Sequence, residues 1–328
     1  MRPNQKIILD FKILISNLTN PTLLFFVLGI IATIVKSDLE IPRGSVKFIS
    51  LYLLFAIGFK GGQELAHHAF SNEIIYSILF GLLVASLIPL YSFFILKRKV
   101  SVSDAAAVAA AYGSVSAVTF VSAVTFLELQ QISFSGHMVA VMAFMESPAI
   151  VVGVILLRLY DKDPQEKQSI GKIIQHSFTN GSVLLILGSL VIGLIADTKQ
   201  AEGIKPFTTD IFKGFLAIFL LEMGIVTARR FRAFRQYGLF LSLFALLIPA
   251  INGSIVAYVS QFVTHDIGNR FMFAILAASA SYIAVPAAMR IAAPKADEGL
   301  YIPMALGLTF PFNITVGIPL YFAIITAS

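Results

Sequence analysis

The stretch AAYGSVSAVTF, Ala110 to Phe120, lies inside an uncharged run from Ala105 to Leu127 and limits the folds open to this chain more than any other segment. A helix needs roughly 20 apolar residues to cross a bilayer, and the run is long enough. Its middle, however, is small and polar. Gly113, Ser114, Ser116 and Thr119 fall where a lipid-facing helix should be most apolar; at that depth they suit either close helix packing or a broken helix lining a cavity. A second span, Phe271 to Met289, carries AASASYIAVPAAM, with Ser279 and Ser281 in the same setting and Pro286 expected to interrupt the helix. Two interrupted, Ser-rich spans in matching parts of a chain point to a transporter site at the bilayer midplane.

Composition agrees with a membrane location. Of 328 residues, 57% are hydrophobic and only 13% charged, too little polar surface to cover a soluble globule. The net charge of +6 comes from basic residues in short loops between apolar spans, so no nucleic-acid surface is implied and the surroundings are membrane lipid. Without Cys the chain has neither disulfides nor thiolate metal sites. Arg2, Lys6, Asp10 and Lys12 are scattered through a moderately apolar start with no clear cleavage site, which does not read as a signal peptide.

Charges bracket the spans. Ile13–Val35 comes first, then the short Phe48–Phe59 ending in GFKGG, then Ile74–Leu96, stopped by Lys97, Arg98 and Lys99. Ala105–Leu127 is the fourth. In the fifth, His137 to Leu157, the sequence MESP sets Glu146 inside the apolar run, and Pro148 is expected to break the helix. A charged linker, Arg158 to Lys172, follows near mid-chain.

Beyond the linker the same order of features returns. Leu28-Gly29 matches Leu187-Gly188, Ile88-Pro89 matches Ile248-Pro249, Gly58 matches Gly224, Ser116 matches Ser281 and Pro148 matches Pro311. The offsets run only from 159 (187 − 28) to 166 (224 − 58). Five spans per unit force the second copy to insert upside down. The expected fold is an all-α polytopic membrane protein, ten transmembrane helices in a 5+5 inverted repeat. Residues 13–157 and 173–328 are the repeats, and 158–172 is a cytoplasmic linker. Sixteen of the 24 Lys and Arg fall in the loops after odd-numbered spans, Arg229, Arg230, Arg232 and Arg235 among them, and eight on the other side. The richer side should be cytoplasmic, with both termini outside.

Ionisable and polar groups inside spans are functional candidates by default. Glu146 is the strongest: Ser147 and Pro148 follow it, and a proline frees a carbonyl in the preceding turn, so hard oxygen ligands gather as a sodium ion prefers. The repeat mate LTFPFNIT adds Thr309, Asn313 and Thr315, and Thr119 completes the candidate sodium set. The alternative for Glu146 is a structural hydrogen bond to a neighbouring helix. Glu222 has a weaker claim, since a place nearer a helix end would let it reach water. For an anion, the restarted helices would offer unpaired N–H groups and positive dipole ends, with Ser114, Ser116, Ser279 and Ser281 adding hydroxyl donors. Packing faces of small residues are the alternative reading. Arg270 and Arg290 read as headgroup anchors, and Pro89 and Pro249 as kinks, with Asn252 a candidate beyond the second. Enzyme motifs are missing: His67-His68 falls in a loop, there is no HExxH, GSVSA lacks the second Gly of a nucleophile elbow, and no GxxxxGK[ST] exists.

The ordered motifs GFKGG, YGSVSAVTF, FMESPA, LIPAING, AASASYIAVPAAMR and FPFNITVGIPL resemble the SbtA-type sodium-dependent bicarbonate transporter family over all ten spans. That resemblance implies a sodium/bicarbonate symporter with a fold related to bile-acid symporters and sodium/proton antiporters. It has two crossing broken helices, spans 1, 2, 6 and 7 as a gate, and spans 3 to 5 and 8 to 10 as a core. Matching positions imply an anion site of Gly113, Ser114, Val115, Ser116, Ser279 and Ser281, which Ala280 and Tyr282 complete. Sodium is the coupling ion and no other cofactor is implied. Cyanobacterial members are homotrimers regulated by a cytoplasmic PII-like protein. This chain departs from the family where SASYIAVPA stands for SSSDISGPP: Tyr282 replaces an Asp, and Glu146 replaces an Asp in the other half. A sodium-coupled carrier of another small anion or carboxylate, or a receptor or channel on the same fold, is the alternative.

Overall fold

The computed structural model describes residues 21–66, 71–161, 171, 175, 179, 181–234 and 238–328. His67-His68, Arg235, most of the linker and the stretch Ile13 to Asn20 of the expected first span lie outside these residues. Among the described residues the chain is helical, without strands. Within those residues seven helices are long and apolar enough to cross a membrane, and Leu24–Ile34, Gly181–Ile195 and Ile267–Ala278 are shorter apolar helices.

In chain order the helices are α1 (Pro21–Ile34), α2 (Arg43–Ala66), α3 (Asn72–Leu96), α4 (Val102–Gly113), α5 (Ala117–Leu129) and α6 (His137–Tyr160). Then come α7 (Gly181–Ile195), α8 (Thr198–Lys205), α9 (Phe212–Phe234), α10 (Gly238–Val259), α11 (Ile267–Ala278), α12 (Ala284–Ala292) and α13 (Glu298–Ala327). Two π-helical turns, Ala305–Thr309 and Asn313–Gly317, interrupt the regular winding of α13 on either side of Pro311.

Burial sorts these helices by role. In the 18-residue membrane-length segment of Val102–Leu129, 94% is buried, so protein rather than lipid surrounds the non-helical residues at its centre, the condition under which irregular backbone survives at membrane depth. By contrast only 39% of the corresponding 18-residue segments of Asn72–Leu96 and Gly238–Phe262 is buried. Their outer faces carry Ile75, Leu79, Leu83 and Leu87 on α3, and Leu243, Leu247, Ile251 and Ile255 on α10, rows with the i, i+4 spacing of one helix face turned to hydrocarbon.

Pairing between helices follows a regular plan. α1 lies against α9 and α2 against α7; α3 packs on α4 and α6, while α10 packs on α11 and α13. Two glycine contacts set the first two pairs. A Cβ on Gly224 would fall 2.0 Å from the Phe26 carbonyl oxygen, and one on Gly62 would fall 2.1 Å from that of Leu190, so only Gly lets these backbones meet. Across from them stand Gly29 and Gly193.

Several local expectations change. Gly188, matched to Gly29 by sequence offset, meets nothing within 4 Å, and Gly193 holds the equivalent contact instead. The GFKGG segment does not end its helix, because α2 runs on to Ala66 with Gly61 and Gly62 serving close approach. Pro148 does not break α6 either: the helix is continuous from His137 to Tyr160 and gives up one backbone hydrogen bond. Pro286 sits in the first turn of α12, where its missing N–H is harmless, so it starts a helix rather than interrupting one.

Candidate functional site

Among the described residues, two buried apolar stretches lose helical geometry partway along, between α4 and α5 and between α11 and α12. At the end of α4, Ser114 has φ −88° and ψ 175°, and Ser116 is the extended N-cap of α5, its Oγ accepting from the Thr119 N–H at 3.2 Å. At the end of α11, Ser279 has φ −83° and ψ 166°, and helix resumes at Ala284. The two breaks cross and bond to each other. The Ser116 N–H donates to Ser279 Oγ at 3.0 Å, and the Ser281 N–H donates to the Ala111 carbonyl at 2.8 Å. Two backbone donors freed by lost helix thus find partners in the opposite break, as buried N–H groups must.

Side chains of α13 hold this crossing. Asn313 Nδ2 donates to the Ala278 carbonyl at 2.7 Å, capping the end of α11, and Asn313 Oδ1 lies 3.2 Å from the Tyr321 hydroxyl. Thr309 Oγ1 donates to the Ala245 carbonyl at 2.8 Å. Pro249, four residues on, cannot supply the helical N–H for that carbonyl, so Thr309 fills a vacancy that the proline creates. Having spent its proton there, the Thr309 hydroxyl accepts from Tyr112, 2.8 Å away. Thr309 and Asn313 are therefore occupied in bracing the breaks.

Beside the crossing lies a small cavity. Val115, Ser116 and Ala117 line it from the first break, Ser281, Tyr282 and Ile283 from the second, and Glu146 projects from α6. Its free space, about 30 Å³ for the centres of water-sized molecules, exceeds the roughly 10–15 Å³ that one water needs on this measure. The first N–H groups of α5 have no intrahelical acceptor, so the positive end of its dipole opens on the same space as the Glu146 carboxylate. Tyr282 spans the cavity wall: its hydroxyl lies beside the Ser116 side chain and 4.0 Å from Met223 Sδ on α9.

Of the residues singled out in the sequence, the cavity brings together Val115, Ser116, Ser281, Tyr282 and Glu146. Ser114 and Ser147 are buried close by with no hydrogen-bond partner for either hydroxyl, while Thr119 and Ala280 are buried around the breaks. Gly113 serves contact, since a Cβ there would sit 2.2 Å from Pro89 Cγ. Glu222 lies mid-helix in α9 rather than near an end, with Oε2 sealed from solvent and unpartnered. Arg270 is no headgroup anchor; it is buried and donates to the Ala257 carbonyl at 3.1 Å and to Ser328. Arg290 is exposed and paired with Glu298. Asn252 is buried and accepts from Tyr91. Leu54, Met142, Ala143, Ser182 and Ile186, which complete the cavity from α2, α6 and α7, carry no mark in the sequence that separates them from other span residues.

Apolar helices around a buried crossing of two broken ones, with a carboxylate at the break, define a multi-pass membrane transporter. The family model for the Na+-dependent bicarbonate transporter superfamily matches residues 21–326, nearly the whole chain, and the protein belongs to that superfamily. It is a family of transporters, not of enzymes. No curated protein matches the chain.

Proposed function

We propose that the protein is a sodium-coupled symporter that imports bicarbonate across the bacterial cytoplasmic membrane by alternating access. The observation that carries this reading is the crossing of the breaks, Ser116 N–H to Ser279 Oγ and Ser281 N–H to the Ala111 carbonyl, beside a cavity that Glu146 lines. Bicarbonate would lie at the α5 N-terminus with Ser116, Ser281 and Tyr282, and Ser114 would turn its unpartnered hydroxyl to it. Sodium would bind at Glu146 with Ser147 and Thr119, while Thr309 and Asn313, occupied in bracing the breaks, would hold these ligands in place. The family membership supports both substrates.

Helix pairing supports ten spans in two inverted repeats, 13–157 and 173–328. Under a twofold that exchanges spans 1 and 6 and spans 2 and 7, the α1 and α9 pair becomes the α7 and α2 pair, and Gly29 maps to Gly193 (193 − 29 = 164) as Gly62, in place of the Gly58 matched by sequence offset, maps to Gly224 (224 − 62 = 162). Helices α1, α2, α7 and α9 would form the gate against which the core moves. The loop charges favour a cytoplasmic linker and outer termini. A homotrimer and a cytoplasmic PII-like regulator belong to this reading on family resemblance.

Purified protein in liposomes tests it. Labelled bicarbonate should accumulate only with an inward sodium gradient. Uptake of a short carboxylate in its place would change the substrate, flux without sodium would make the protein a channel, and no movement of any anion would leave a receptor.

A further inference from the structure

A second cavity, about 150 Å³ on the same measure, lies along the same helices. On α2, Leu54 lines the first cavity and Ile57 the second; on α6, Met142 lines the first and Val139 the second. Three residues of helix rise about 4.5 Å, so roughly one turn of apolar side chains separates the two spaces. At the far side of the second cavity are Lys60, Glu64 and Glu128.

Glu128 joins helices of different groups. It lies in the last turn of α5, the helix that begins at the first break, and its Oε1 is 3.6 Å from Lys60 Nζ on α2 while its Oε2 is 3.0 Å from Lys213 Nζ on α9. A carboxylate at a helix C-terminus opposes the dipole, so α5 itself gives no reason for an acid at this place. The Lys60, Lys213 and Glu128 side chains are 39%, 57% and 34% exposed, so each pair is weak and open to exchange with ions from solution.

We propose that the second cavity is the vestibule of the transport path and that Glu128 is its gating residue. Its pairs with Lys60 and Lys213 hold the broken-helix element against α2 and α9. An arriving small inorganic anion competes with Glu128 for the two ammonium groups, and the exchange releases α5 and opens the way to the first cavity. This rests on the reading that the breaks hold an anion; the orientation proposed above makes this mouth the outer one.

The chain has no Cys, so one reporter can be placed at Ala117→Cys, on the wall of the first cavity. Its labelling by a small anionic methanethiosulfonate is timed in right-side-out and in inside-out vesicles. Adding Glu128→Gln should speed labelling from the vestibule side about fivefold, which is ~1 kcal/mol at 1.4 kcal/mol per tenfold. Charge exchange, Glu128→Lys with Lys213→Glu, should restore the slow rate. Independently of the reporter, Glu128→Cys with Lys213→Cys, bridged by a short bis-methanethiosulfonate, should stop transport until a reductant is added. Labelling indifferent to Glu128→Gln, or transport that continues across the formed bridge, overturns the gate. Acceleration seen only in inside-out vesicles supports the gate and reverses the orientation. The expected labelling in a protein that carries no bicarbonate supports the gate and removes the substrate assignment alone.

Discussion

Ser116 donates its backbone N–H to the hydroxyl of Ser279, 3.0 Å away and 163 residues later in the chain. The Ser279 hydroxyl gives its own proton to the Leu276 carbonyl at 2.9 Å, leaving a lone pair for that N–H. Ser279→Ala would strand a buried donor and should cost about 1 to 3 kcal/mol of stability. Ser279→Thr keeps the hydroxyl and should cost less. Unfolding of the two variants in detergent compares them; equal losses would mean that volume, not the hydrogen bond, matters at this position.

Ser116→Ala and Ser281→Ala report on the anion. Each should weaken bicarbonate binding by about 0.5 to 1.5 kcal/mol, the usual net worth of one hydrogen bond, and the double variant should lose more. Wild-type affinity in the double variant, at equal surface expression, would reduce both hydroxyls to caps and packing.

Glu146→Gln keeps the shape of the side chain and removes its charge. Sodium-stimulated uptake should collapse or require far more sodium, because a neutral amide oxygen is a poorer ligand for a hard cation than a carboxylate. Uptake measured against sodium concentration decides, and an unshifted curve would leave Glu146 as a neighbour of the cation path only.

Tyr282→Phe removes one hydroxyl, beside Ser116 and 4.0 Å from Met223 Sδ, and retains the ring that fills the wall. Transport should fall if that hydroxyl contacts the anion. If the Asp implied by the family resemblance is the ancestral group, a neutral phenol leaves the site with one acidic charge fewer, and fewer sodium ions should accompany each anion than in an Asp-containing carrier. Flux ratios at several imposed voltages measure this directly. A fully active Phe variant with an unchanged ratio would make Tyr282 a packing residue.

Orientation is open to the same cysteine-free background. A thiol at Asp38, after the first span, should be shielded from an impermeant reagent in intact cells, and one at Glu202, after the sixth, should label. The opposite pattern would invert the topology.

Much of this protein is legible in its sequence. The apolar runs and the loop charges mark the helices, and small polar residues at Gly113 to Ser116 and Ser279 to Ser281 mark where helix gives way, because hydropathy and backbone freedom are properties of local sequence. Proline was the less reliable sign. Pro148 passes within a continuous helix and Pro286 opens one, since a helix tolerates a lost hydrogen bond wherever neighbours support it. Only the tertiary structure decides which polar groups remain available. Thr309 goes to the carbonyl that Pro249 frees and Asn313 to the end of α11, while Glu146 is left facing the cavity with Ser116, Ser281 and Tyr282. A buried donor or acceptor takes whichever partner the packed helices bring within reach, and these partners lie 64 and 35 residues away along the chain.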